Sequence, residues 1–169
     1  PNAFKQRYFL AGTLSSLTGM YNGYELCENI PSPVKEELAD SEKYQYKVHN
    51  WKGPGIQDFV RRVNTARQEH VALQEYDNLH FHDCANDPLM VYSKKSGDDV
   101  ILCVCNMDMD NAQEGMVELD MAKLGLSQDS FFFLKDLITD ESFVWRGNRN
   151  FVRLDPAKAP GHLLVLKKI

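Results

Sequence analysis

The sequence predicts a mixed fold, in which an all-β antiparallel sandwich or barrel follows a region of helices and irregular chain. Three observations carry that prediction. From residue 79 onward, short segments rich in β-branched and aromatic residues recur at roughly ten-residue spacing: LHFH, PLMVYSK, DVILCVCN, GMVELD, FFFLKD, FVWR, NFVRL and HLLVLKK. Turn-forming runs separate them, among them SGDD, MDMDN, GNRN and DPAKAPG. Before residue 75 the periodicity is helical or absent.

The elements follow in order. In NAFKQRYFLAGTLSSL, Asn2 reads as an N-cap and Phe4, Tyr8, Ala11 and Leu14 recur at helical spacing. Leu10 and Leu17 widen that stripe, so the helix is expected to be covered on most sides. MYNGYEL reads as a short strand. The long stretch CENIPSPVKEELADSEKYQYKVHNWKGPG is punctuated by Pro31, Pro33, Gly53, Pro54 and Gly55. Loops of that length inside a compact domain are usually functional or disordered. IQDFVRRVNTARQEHVAL returns to helical spacing through Phe59, Val63, Ala66 and His70, and His70 reads as a satisfied core or interface residue rather than a ligand. These pieces do not close a layered structure by themselves and read as the end of a larger domain. Their alternatives stay open: residues 1 to 20 pack on the β-rich part, on another copy, or on nothing ordered. In the β-rich part, Arg146-Gly147-Asn148 reads as a tight hairpin connection.

The bulk numbers narrow the function classes. The 169 residues are 43% hydrophobic and 25% charged, the profile of a soluble globular protein. A net charge of −5 with no Lys/Arg block argues against capture of nucleic acid or anionic membrane, while leaving room for a phosphorylated small molecule. No apolar run approaches the roughly 20 residues a bilayer requires. PNAFKQRYFL does not read as a signal peptide, and a first residue other than Met suggests a chain cut from something longer. The four cysteines, Cys27, Cys84, Cys103 and Cys105, read as reduced, buried thiols of a cytosolic protein. Cys103 and Cys105 share a strand face but have no second pair with which to hold zinc.

Two groups of residues could carry chemistry. Glu25 with Glu28, and Asp40 with Glu42, are paired acids in or beside the irregular stretch. Glycoside chemistry needs two carboxyls at about 5 Å for retention or about 6.5–9.5 Å for inversion. Sequence spacing does not decide whether any of these four meet at either distance, and EELADSE reads first as a solvated acidic run. Glu25 differs, because an ionised carboxyl after an aromatic-glycine strand needs a partner or a ligand. In EKYQYKVHNW, Tyr44, Tyr46 and Trp51 offer flat faces to sugar rings and Lys43 and Lys47 offer donors, or the aromatics simply anchor the loop. There is no P-loop, GxGxxG, GxSxG or HExxH. His80 and His82 alternate on one strand face without acidic or cysteine neighbours at ligand spacing.

At these residues a family resemblance enters. GMYNGYELCEN resembles the strand-eight segment of the α-amylase superfamily, glycoside hydrolase family thirteen, through Gly19, Tyr21, Gly23 and Glu25. DFVRRVNTARQEHVALQ resembles the last barrel helix of that superfamily, and the strands after it resemble its C-terminal sandwich. DSEKYQYKVHNW, NMDMDNAQEGMVELDMAKLGL and VWRGNRNFVRLDP narrow the resemblance to the bacterial maltose-1-phosphate maltosyltransferases. Threonine and methionine in SLTGMYNGYE stand where relatives often have a proline or an aromatic, which puts the local loop shape in question.

The resemblance implies a boundary near residue 75. Residues 1–74 would be the last elements of a truncated (β/α)8 barrel, with Tyr24 and Glu25 emerging at the C-terminal end of its last strand. Residues 75–169 would be an antiparallel sandwich of Greek-key type. It implies a parent enzyme, a cytoplasmic homodimer without cofactor or metal. That parent would move maltosyl from maltose 1-phosphate to the non-reducing end of an α-1,4-glucan, with retention. Lys43 and Tyr44 would surround the maltosyl unit, with Glu42, Tyr21 and Glu25 supporting the pocket. The catalytic carboxylates of the family lie in barrel segments upstream of the matched region, so the chain as given is expected to be inactive. Two other readings are a fragment of an α-amylase or trehalose-synthase-type enzyme, and an independent carbohydrate-binding or structural sandwich using exposed aromatics such as Trp145.

Overall fold

The computed structural model describes residues 1–34, 36, 38–39 and 46–169. Helices α1 (Asn2–Leu14) and α2 (Gln57–Glu69) precede eight strands, β1 (Leu79–Cys84), β2 (Leu89–Ser96), β3 (Asp99–Asn106), β4 (Gln113–Glu118), β5 (Phe131–Asp136), β6 (Ser142–Arg146), β7 (Arg149–Leu154) and β8 (Gly161–Lys168), with a short α3 (Met121–Leu124) after β4. Every segment read as a strand from residue 79 onward is one.

The strands run in the order β6-β5-β8-β3-β2-β1-β4-β7, each pair antiparallel. Within that order β3-β2-β1 is a meander and β4 returns to lie beside β1, which is the Greek key. β1 belongs to both sheets: Leu79–His82 pair with β2, whereas Asp83 and Cys84 pair with β4. The second corner lies at Gly147, in the left-handed region at φ 62°. It corrects the expected hairpin, because β6 pairs with β5 and β7 with β4. Asn150 shapes that turn by donating to the Gly147 carbonyl at 3.0 Å and accepting from the Arg146 amide at 3.3 Å.

Alternation along β3 explains how two cores form back to back. Val100, Leu102 and Val104 point between the sheets and pack with Val91, Phe132, Leu134, Val152 and Leu164. Ile101, Cys103 and Cys105 point the other way, onto Tyr92, Leu163 and the apolar sides of α1 and α2. A central strand buried on both faces needs a third layer, and the helices supply it. Of the arrangements left open for residues 1 to 20, packing on the sandwich is the one observed for α1. Burial pushes the Cys105 thiol up to about 12 and that of Cys103 further up, so both behave as apolar groups. All four cysteines are free, but Cys27 and Cys84 are only partly buried, against the expectation that all four would be covered.

Polar contacts fix this layer. Gln6 donates to the Asn106 carbonyl at 2.8 Å, and the Thr13 and Tyr92 hydroxyls lie 2.5 Å apart. Asp99 accepts from His70 Nδ1 at 2.8 Å and from the Ala72 amide at 2.9 Å, so His70 is the satisfied interface residue expected. Gly12 lets the helices meet: a Cβ there would lie 2.7 Å from Val63 Cγ1. Arg67 of α2 donates to three carbonyls at the end of α1, those of Gly12 at 2.5 Å, Ser15 at 2.9 Å and Ser16 at 2.6 Å, satisfying acceptors a helix end leaves open.

Four expectations need correction. Asn2 is not the N-cap: Pro1 occupies that position, and Asn2 reaches across to the Met109 carbonyl at 3.3 Å. The buried stripe of α1 runs through Gln6, Tyr8, Phe9, Gly12 and Thr13, while Leu17 lies past the helix end and is 85% exposed. MYNGYEL is no strand: Gly23 takes a left-handed φ of 91° and a 3-10 turn follows over Tyr24–Leu26. Trp145 is not an exposed aromatic: it is 9% exposed, edge-on to Phe132 between the sheets, since alternation along β6 turns Val144 outward instead.

Candidate functional site

The glycine-tyrosine segment folds as a turn. The Tyr21 carbonyl accepts from the Tyr24 amide at 3.0 Å, and Gly23 takes a left-handed φ of 91°. A single 3-10 turn follows over Tyr24–Leu26, ending in left-handed Cys27. Tyr24 does not emerge toward a ligand. Its ring packs on Phe4 and Tyr8 at 4.9 and 6.1 Å, and its hydroxyl donates to the Phe4 carbonyl at 2.7 Å. Tyr24 thus nails the turn to α1. The start of α2 holds the other side, through the Ile56 amide on the Glu25 carbonyl at 2.7 Å. Gly55 is required there, since a Cβ would sit 2.3 Å from the same oxygen.

Glu25 is the chemically unspent group. Its Oε2 is buried and has no hydrogen-bond partner among the described residues. The side chain borders a groove of about 380 Å³ whose other walls are Gln57, Val60, Arg61, Asn64, Thr65 and Gln68 of α2. A buried carboxylate oxygen without a donor costs on the order of 1–3 kcal/mol.

A second cluster, three residues on, is saturated. Glu28 accepts from Lys47 Nζ at 2.7 Å on Oε2 and from His49 Nδ1 at 2.9 Å on Oε1. Those hydrogen bonds, from Lys47 first and His49 next, hold its carboxyl below the usual range. His49 Nε2 lies 3.2 Å from the Asn22 amide nitrogen. That nitrogen can only donate, so His49 carries its proton on Nδ1 and gives it to Glu28. The Trp51 ring rests beside His49 at 5.3 Å. Gly23 faces the same cluster, and a Cβ there would lie 2.9 Å from both Glu28 Oε2 and His49 Cε1.

Of the five residues the sequence points to, Tyr21 and Glu25 share this turn. Tyr21 is 70% exposed and does not border the Glu25 groove. Glu42, Lys43 and Tyr44, with Asp40, lie outside the described residues. Among the described residues one oxygen of Glu25 has no partner, whereas both oxygens of Glu28 are taken. Sequence reasoning missed His49 and Asn22; the available signal was Glu28 and Lys47, opposite charges flanking the same loop. Elsewhere, His82 donates Nε2–H to Ser93 at 2.8 Å and accepts the Asp120 amide at 3.0 Å on Nδ1. Burial, helped by neighbouring His80, lowers its pKa to about 4. Among the described residues no group of three or more His, Cys, Asp or Glu side chains could hold a metal ion, and no helix is long and apolar enough to cross a membrane.

The fold is shared with solved α-amylase structures. A noncanonic maltogenic alpha-amylase from Thermotoga neapolitana superposes over 99% of this chain and 37% of its own, with a TM-score of 0.71 at 14% identity. An alpha-amylase from Geobacillus thermoleovorans does so over 99% and 33%, with a TM-score of 0.65 at 16% identity. The family profile described as "GLGE, C-terminal" matches residues 81–166, and the chain belongs to that family. Alpha-1,4-glucan:maltose-1-phosphate maltosyltransferase 2 of Streptomyces coelicolor is 44% identical over 98% of this chain, and the maltosyltransferase of Rhodospirillum rubrum 42% over 94%. The chain spans about a quarter of the length of these curated relatives, 26% and 23%.

Proposed function

We propose that this chain is the C-terminal part of a glucan-elongating maltosyltransferase, with residues 1–74 ending its catalytic barrel and 75–169 forming its sandwich. The observation that carries this reading is the 44% identity to a named maltosyltransferase over 98% of the chain, which extends beyond the 81–166 profile into the turn and loop. The parent would transfer maltosyl from maltose 1-phosphate to the non-reducing end of an α-1,4-glucan with retained configuration, as a cytoplasmic homodimer that binds neither nucleic acid nor membrane. Lys43 and Tyr44 would hold the maltosyl unit. Glu42, Tyr21 and Glu25 would support the pocket, and the unpartnered Oε2 of Glu25 suits the hydroxyl-rich surface of a sugar.

Retaining transfer requires a nucleophilic carboxylate and an acid/base partner. Neither is assigned to this chain, so the chain alone would be inactive. The test is a paired assay of the full-length protein with maltose 1-phosphate plus glucan, and with starch alone. Phosphate release coupled to glucan elongation is the expected outcome. Starch hydrolysis without turnover of maltose 1-phosphate would instead favour an α-amylase-type parent, whose fold this chain shares.

A further inference from the structure

We infer that Glu28 is a positioning residue, which with His49, Lys47 and Asn22 ties the end of the long loop to the turn that carries Tyr21 and Glu25. This inference rests on the reading of that loop and turn as a maltosyl pocket.

Four contacts converge. Lys47 and His49, 19 and 21 residues downstream, each hydrogen-bond a different oxygen of Glu28, at 2.7 and 2.9 Å. Asn22, from the turn itself, closes the ring on the free side of His49 at 3.2 Å. Trp51 covers the imidazole. Gly23 reports independently how close the turn and the cluster are: any side chain there would push into Glu28 and His49, in addition to resisting the left-handed φ.

The chemistry of the cluster favours a tie over a ligand site. Both carboxylate oxygens and both imidazole nitrogens are engaged. Hydrogen bonds to an ionised carboxylate are the strong ones, and two of them with one ring fix direction as well as distance. In sequence, Lys43 and Tyr44 stand four and three residues before Lys47, and Tyr21 and Glu25 flank Asn22 and Gly23. Glu28 therefore joins the two strings of proposed substrate residues without being placed against substrate itself.

The test uses Glu28→Ala, His49→Ala and the double variant in the full-length protein, with His49→Asn as a shorter side chain that keeps one donor. Losing charge-assisted hydrogen bonds should raise the KM for maltose 1-phosphate about tenfold in each single variant, with kcat changed far less. The double variant should cost no more than one single, and His49→Asn should recover part of the loss. Unchanged KM, additive losses, or a fall in kcat alone would overturn the proposal. A second measurement works on the 169-residue chain and does not depend on activity. Nitrogen-resolved NMR should show the His49 proton on Nδ1, and the His49 ring nitrogen signals should shift in Glu28→Gln as the carboxylate acceptor becomes an amide. A proton on Nε2, or unchanged ring signals, would overturn the tie. If the wild-type enzyme ignores maltose 1-phosphate, the functional reading fails and the NMR result alone decides the tie.

Discussion

The sandwich and the turn-loop region before it are built on opposite terms. In the sandwich, large apolar residues alternate into one of two cores, and β3 is buried on both faces from Val100 to Asn106. Between α1 and α2, large apolar side chains face outward instead: Leu17, Tyr21, Ile30, Val34, Tyr46 and Val48 are all more than two-thirds exposed. Few of the described residues of that stretch are buried, and hydrogen bonds at Tyr24, Glu25 and Glu28 hold them in place. The sandwich and its helical layer supply the cohesive energy, whereas the turn-loop holds a buried carboxylate oxygen without a partner among the described residues and exposes Tyr21, Tyr46 and Trp51 on that support.

Phe132 is fully buried between the sheets, so Phe132→Ala should cost about 4 kcal/mol in urea unfolding, more than any change in the turn-loop. Asp136 comes next. Burial pushes its carboxyl up, but hydrogen bonds from His162 at 2.7 Å, the Ile138 amide at 2.9 Å and Thr139 at 2.9 Å outweigh that and leave it below the ordinary 3.8. Asp136→Ala should cost about 3 kcal/mol, because His162 and two amides lose their acceptor inside the protein. The sign of its pH dependence follows. The ionised form is favoured by folding, so its contribution is complete above pH 3.8 and is lost as the pH falls below that value.

Smaller effects sharpen the boundary between the regions. Arg67→Ala should cost about 2 kcal/mol and raise amide exchange at the end of α1 and in the turn, since three carbonyls lose one guanidinium. His82 should titrate by NMR near 4. Folding favours its neutral ring, so its contribution is complete above 6.5 and is lost as the pH falls from 6.5 through about 4. His82→Gln should flatten stability over that window. At the other extreme, Tyr46 is 90% exposed, and Tyr46→Ala should change stability by less than about 0.5 kcal/mol.

The same division governs what the sequence made legible. All eight strands were readable because alternation and turn residues are local signals that tertiary packing reinforced. The helix layer was half readable. α2 shows its buried face through Phe59, Val63 and Ala66, but α1 buries Gln6 and Thr13 and exposes Ala11, a pattern set by partners on β2 and β3. The turn at Tyr21–Cys27 read as a strand because its aromatics and glycines resemble one, whereas its shape comes from contacts to Phe4 and Ile56. In the candidate site, Glu25 was legible from a simple argument about a carboxyl in need of a partner. The Glu28–His49–Asn22 link was not, because it joins residues 21 to 27 positions apart with no period to betray it.

One paired experiment addresses the central claim that the turn-loop, and not the sandwich surface, is the sugar-binding face. Lys43→Ala and Phe131→Ala would be compared in the full-length protein, since Phe131 is an exposed aromatic of β5 lying under the Arg146 guanidinium at 5.1 Å. Lys43→Ala should raise the KM for maltose 1-phosphate about tenfold or more, and Phe131→Ala should leave it unchanged. A KM raised by Phe131→Ala and untouched by Lys43→Ala would instead put the sugar on the sandwich.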